Sequence, residues 1–77
     1  MNQYTIKFSA TCPNDGAVIQ YTMVVESNET IMVEDLIRSV RDLTDYQEII
    51  ADSLFEQFGG KQIITGIHQG IKVVTRR

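Results

Sequence analysis

VEDLIRSVRDLTDYQEIIADSLFEQFGG, residues Val33–Gly60, decides how this chain folds, because within it the spacing of apolar residues changes from two to between three and four. Val33, Leu36, Ile37, Val40 and Leu43 fall at helical spacing, with Glu34, Asp35, Arg38, Arg41 and Asp42 on the wet side. Glu34 and Arg38 stand at i,i+4 in the favourable order of charge. Thr44-Asp45 interrupts the pattern. A second helix then runs through Ile50, Ala51, Leu54, Phe55 and Phe58. Thr44 with Gln47, or Asp45 with Glu48, has the spacing of a capping box at its start, and Gly59-Gly60 stops it.

Working outward, Tyr4, Ile6, Phe8 and Ala10 alternate with Gln3, Thr5, Lys7, Ser9 and Thr11, which predicts a half-buried strand. Pro13-Asn14-Asp15-Gly16 has the composition of a hairpin turn. Ile19, Tyr21, Met23 and Val25 then share one face of a second strand, and Ser27-Asn28-Glu29-Thr30 ends it. Beyond Gly60, Gln62–His68 and Ile71–Arg76 predict two further short strands joined at Gln69-Gly70. Two hairpins flanking a helix pair give an α+β domain in the order ββααββ. Its four-stranded antiparallel sheet carries both helices on one face. The opposite face is expected to hold Gln3, Thr5, Lys7, Ser9, Gln20, Thr22, Gln62, Lys72 and Arg76, with Val24, Ile64 and Val74 among them. It is too polar for a dry core, so it meets water or lines the lumen of an oligomeric barrel.

Seventy-seven residues make one domain, spanning 1–77, with a thin core, for which self-association is an expected source of stability. The net charge of −3 and the lack of any Lys/Arg run outside Arg76-Arg77 leave no footprint for nucleic acid. Cys12 is the only cysteine, so neither an internal disulfide nor a multi-Cys zinc site is expected. The N-terminus alternates rather than forming an apolar run, and no stretch reaches membrane-spanning length. The expectation is a cytoplasmic protein with no membrane partner.

The order of elements resembles that of the tunnelling fold (T-fold), whose members include GTP cyclohydrolase I, pyruvoyl-tetrahydropterin synthase and the nitrile reductase that acts on 7-cyano-7-deazaguanine in queuosine synthesis. Ile50–Lys61 resembles the second helix and third strand of the cyclohydrolase. The reductase has a Cys-Pro ending its first strand, a Val-Glu opening its first helix and an aromatic-His-Glu opening its second. Cys12-Pro13, Val33-Glu34 and Tyr46-Gln47-Glu48 stand here in the same order at similar separations. The chain departs from that pattern in three places. The reductase's acid after Cys-Pro aligns with Ala17-Val18-Ile19, its His with Gln47, and its Ser- and Lys-rich nicotinamide-binding stretch with Asp35-Leu36-Ile37-Arg38-Ser39. The resemblance implies a homo-oligomer of four or more subunits binding a purine- or pterin-like heterocycle at subunit interfaces. NADPH enters by the resemblance alone, and no metal ligands carry over.

On this reading Cys12 is the candidate nucleophile, since a thiolate attacks a nitrile or an electrophilic ring carbon; alternatively it is a small apolar side chain closing the core. Glu48, and less directly Glu34, would accept the N–H edge of the ring, although a Glu in a helix's first turn also answers the helix dipole. Tyr46 would stack on the heterocycle or pack the start of the helix. His68 reads as a turn residue and Arg76-Arg77 as a solvated tail. A function of another class is a non-catalytic interaction protein, of phage or mobile-element type, binding a protein partner through the same scaffold.

Overall fold

The computed structural model describes all 77 residues. The chain forms β1 (Asn2–Thr11), β2 (Val18–Ser27), α1 (Val33–Ser39), β3 (Leu43–Thr44), α2 (Gln47–Phe58), β4 (Lys61–His68) and β5 (Ile71–Arg76). The sheet order is β3-β1-β2-β4-β5. Phe8, Ala10, Ile19, Tyr21, Met23, Val25 and Ile64 from the strands form one cluster with Leu36, Val40, Ile50, Ala51 and Leu54, so both helices cover the same face. Met23, Val25, Leu54 and Ile64 are at most 1% exposed, and burying each contributes about 1.5–3 kcal/mol.

The sheet differs from the expected four antiparallel strands. It has five strands and is mixed, because β3 runs parallel to β1, pairing Ala10 with Leu43 and Thr11 with Thr44. The other three pairings are antiparallel. The physical reason lies in the link between the helices. Helix α1 ends at Ser39, whose Oγ donates to the Leu36 carbonyl at 2.9 Å, rather than continuing to Leu43. Asp42 takes a positive φ of 55° and turns the chain back along β1, where Leu43 packs against the core and its neighbours meet the free β1 backbone. Val33 and Ile37 are consequently exposed.

Three smaller expectations also change. Arg38 pairs with Asp35 at 3.0 Å, not with Glu34. Neither capping box forms: Tyr46 is the N-cap of α2 and has no side-chain cap bond, while Asp45 Oδ1 accepts the Tyr46 N–H at 2.9 Å. Strand β4 is flipped relative to expectation. Gln62 and Ile64 face the core, at 2% and 1% exposure, and Lys61, Ile63, Thr65 and Ile67 turn outward. Ile63-Ile64 gives both parities an apolar residue, so alternation alone cannot choose between them. The choice follows Gln62, whose Nε2 donates to the Leu54 carbonyl at 3.1 Å and the Gly59 carbonyl at 2.8 Å, closing the last turn of α2.

Candidate functional site

Cys12 follows the last residue of β1 and begins a tight loop. Its N–H donates to the Ala17 carbonyl at 2.8 Å, its own carbonyl accepts the Gly16 N–H at 2.9 Å, and Asp15 Oδ1 accepts the Ala17 N–H at 3.0 Å. The Ala17 N–H holds the Asp15 carboxyl below its usual range; the Cys12 and Gln69 side chains act the same way, and desolvation opposes them. Even-numbered residues of β1 face the helices, and Cys12 follows that parity: it is half-buried and packs against the core cluster.

Two rows inward on this face, Phe8, Tyr21, Gly66 and Val73 stand side by side across β1, β2, β4 and β5. The Phe8 and Tyr21 rings stack with centroids 5.3 Å apart. Gly66 leaves room for them: a Cβ there would lie 2.5 Å from Tyr21 Cε1 and 3.0 Å from Gln47 Oε1. Two residues further along β4, toward the Cys12 end of the sheet, the His68 ring meets the edge of Tyr21 at 5.8 Å. Tyr21 is 3% exposed. Burial first, and Cys12 second, push its phenol above the ordinary range, so it is an O–H group at neutral pH.

Gln47 ties α2 to this corner. It opens the helix on the same stripe as Ile50, Ala51 and Leu54, so its amide is carried into the core. There Nε2 faces the Ile64 carbonyl at 3.1 Å, the Val73 carbonyl at 3.0 Å and Thr75 Oγ1 at 3.1 Å, and Oε1 faces His68 Nε2 at 2.8 Å. His68, read from sequence as a turn residue, thus belongs to a buried polar cluster.

The other candidates lie apart from it. Glu48 is exposed and accepts from Arg77 Nη2 at 2.7 Å, while Arg77 Nε donates to Asp52 at 2.7 Å. Arg77 is therefore not a free tail; its backbone also exchanges hydrogen bonds with Gln62. The two carboxylates raise its pKa further. This clamp lies along the β5 edge, whereas Cys12 lies across β2 and β4 from it. Tyr46 is 52% exposed, and Glu34 is exposed on α1. The structure thus joins Gln47 to His68 and Glu48 to Arg77, and leaves Glu34 and Tyr46 without side-chain partners. Sequence reading gave Tyr21, Gln47, His68 and Arg77 no part in a site; the one available signal was a Gln on the buried stripe of an amphipathic helix.

No known family model matches the chain, and no curated protein matches its sequence. Its fold does have a counterpart among solved structures. The crystal structure of the archaeosine synthase QueF-Like in the apo form superposes with a TM-score of 0.78 over 99% of this chain and 89% of that one. The chain has the tunnelling fold. At 15% identity the likeness is one of architecture, and the chemistry has to be argued from this chain's own residues.

Proposed function

We propose that this T-fold chain binds a planar purine- or pterin-like heterocycle at the Cys12 end of its sheet, in a site shared between subunits of a homo-oligomer. The observation that carries this is the likeness in fold to archaeosine synthase QueF-Like, combined with Cys12-Pro13 and Tyr46-Gln47-Glu48 standing in the order of the reductase motifs. Three features support a shared site. The clefts of the single chain, the largest about 380 Å³, are lined by residues other than Cys12, Tyr46 and Glu48. The outer edge of β5 is unpaired, and β1 is covered by β3 only at Ala10 and Thr11, so both are open to strand pairing with another copy. Phe55, Ile63, Ile67 and Ile71 are exposed.

Glu48 is the anchor for the ring's N–H edge. Glu48 is 71% exposed and its partner Arg77 is half-buried; a pair with one member in water is weak and screened by salt, so a ligand N–H edge can replace it. Cys12 is the residue for covalent chemistry. Addition of its S–H across a nitrile forms a carbon–sulfur bond and leaves the proton on nitrogen, giving a thioimidate. The nicotinamide stretch of the reductase has no counterpart in charge: α1 offers one cation, Arg38, which is already paired with Asp35. A dinucleotide phosphate does not fit that donor set.

Calorimetry with guanine, 7-cyano-7-deazaguanine and pterin tests the reading. Binding that weakens roughly tenfold or more in Glu48→Gln supports the anchor. No binding of any of the three, or a stable monomer by sedimentation at micromolar concentration, overturns it.

A further inference from the structure

The sheet sorts the charges of the chain. Lys7 on β1, Lys61 on β4 and Lys72 and Arg76 on β5 all have the parity that turns away from the helices, as does Glu26 on β2. Four of the seven cations and one of the ten acids thus share the helix-free face, which carries +3 while the remainder of the chain carries −6. The ion pairs of the structure join Arg38 to Asp35 and Arg77 to Glu48 and Asp52, so none of these four cations is paired. Glu26 stands opposite Lys61 at one end of the face, which leaves Lys7, Lys72 and Arg76 without an acid directly across from them. Thr22 and Thr65 lie in the row that starts at Lys7, and their hydroxyls can donate to an anion. Tyr4, Phe8 and Tyr21 turn to the core, and Tyr46, Phe55 and Phe58 belong to α2 and its cap. The face therefore lacks the stacking platform of a single-strand nucleic-acid binder.

We propose that this face is an anion site completed by a second copy of the chain, and that inorganic phosphate bound there tightens the assembly. This rests on the homo-oligomer reading above. Lys7 lies on the stretch of β1 that β3 leaves uncovered, and Lys72 and Arg76 flank Val74 on β5, the opposite edge of the sheet. Within one copy the two edges are three strand spacings apart, about 14 Å. When β5 of one copy pairs with β1 of the next, the separation falls to one spacing, about 5 Å, and the shared pleat keeps odd β1 and even β5 residues on a common face. The helix layer takes the outside of such a ring, where the circumference is longer. Cations of both copies then converge on the inside at every seam, where they repel one another and weaken the assembly. A divalent oxyanion cancels that repulsion: the Arg76 guanidinium offers it a planar fork, and the Lys7 and Lys72 ammonium groups offer point charges. Because the site exists only across a seam, an anion bound there favours the assembled form by mass action.

Sedimentation velocity at about pH 8, where phosphate is mainly divalent, compares the chain in chloride and in phosphate at equal ionic strength. The concentration at which the wild type dissociates is expected to fall about tenfold or more in phosphate. Lys7→Gln and Arg76→Gln, both at exposed positions, should assemble in chloride at least as tightly as the wild type and gain less than about twofold from phosphate. Arg41→Gln removes the same charge from the link after α1 and should keep the full phosphate effect. Equal dissociation of the wild type in the two anions overturns this inference alone. So does an undiminished phosphate effect in the two seam variants, or a loss just as large in Arg41→Gln, which would assign it to net charge. A chain that stays monomeric at micromolar concentration in both buffers overturns the homo-oligomer reading with it.

Discussion

Replacing Gln47 by Leu tests the buried polar corner most directly. The side chain is 6% exposed. Its Nε2 hydrogens are shared among the Ile64 and Val73 carbonyls and Thr75 Oγ1, and its Oε1 accepts a hydrogen bond from His68 Nε2. Leucine fills a similar volume and supplies none of these. Two donated bonds and one accepted bond are lost, at about 1 kcal/mol each, and Thr75, itself 5% exposed, has little access to water as a replacement. The better hydrophobicity of Leu offsets part of this, leaving a destabilisation of roughly 2–3 kcal/mol. For a chain of this length total stability is about 4–12 kcal/mol, so the change is a large share. Urea denaturation followed by circular dichroism should show a lower midpoint at unchanged slope, and thermal unfolding a drop of roughly 10–20 °C. A midpoint within about 0.5 kcal/mol of wild type would refute the assigned hydrogen bonds, because an amide that can be lost without cost is not satisfying buried groups.

Gly66→Ala should destabilise by about 1–2 kcal/mol in the same assay, because the new Cβ meets the Tyr21 ring and Gln47 Oε1 while the backbone itself is unstrained; an unchanged or higher melting temperature would contradict that packing. Arg77→Gln should release Glu48 and Asp52, and the wild-type ion pairs should weaken in added salt while the variant becomes indifferent to it; equal salt dependence of both forms would remove the clamp. Asp15 should titrate below the ordinary aspartate value of 3.8 in a carbon-detected pH series. Since its folded pKa is depressed, its contribution to stability is present above the unfolded value and fades as pH falls through the folded one, and Asp15→Asn should abolish that part of the acid dependence. An Asp15 midpoint at or above that ordinary value would refute the Ala17 bond.

Much of the architecture was legible in the sequence because it is written in local periods. Tyr4–Ala10 and Ile19–Val25 carry the two-residue period of strands, and Ile50–Phe58 the 3.6-residue period of a helix. Cys12-Pro13 and Tyr46-Gln47-Glu48 could be singled out for the same reason, as short motifs in a recognisable order. The tertiary structure decided the rest. Leu43–Thr44 is too short to carry a period, and only the free edge of β1 made it a strand. Ile63-Ile64 satisfies both faces of β4, and the register was settled by Gln62 meeting the carbonyls of α2. Gln47 could not be told from an ordinary first-turn residue until residues 17 to 28 positions away closed around its amide. The physical reason is common to all three: burial of an apolar face leaves a repeating signature along the chain, whereas the partner of a buried polar group or an unpaired strand edge is fixed by contacts distant in sequence, which no local pattern encodes.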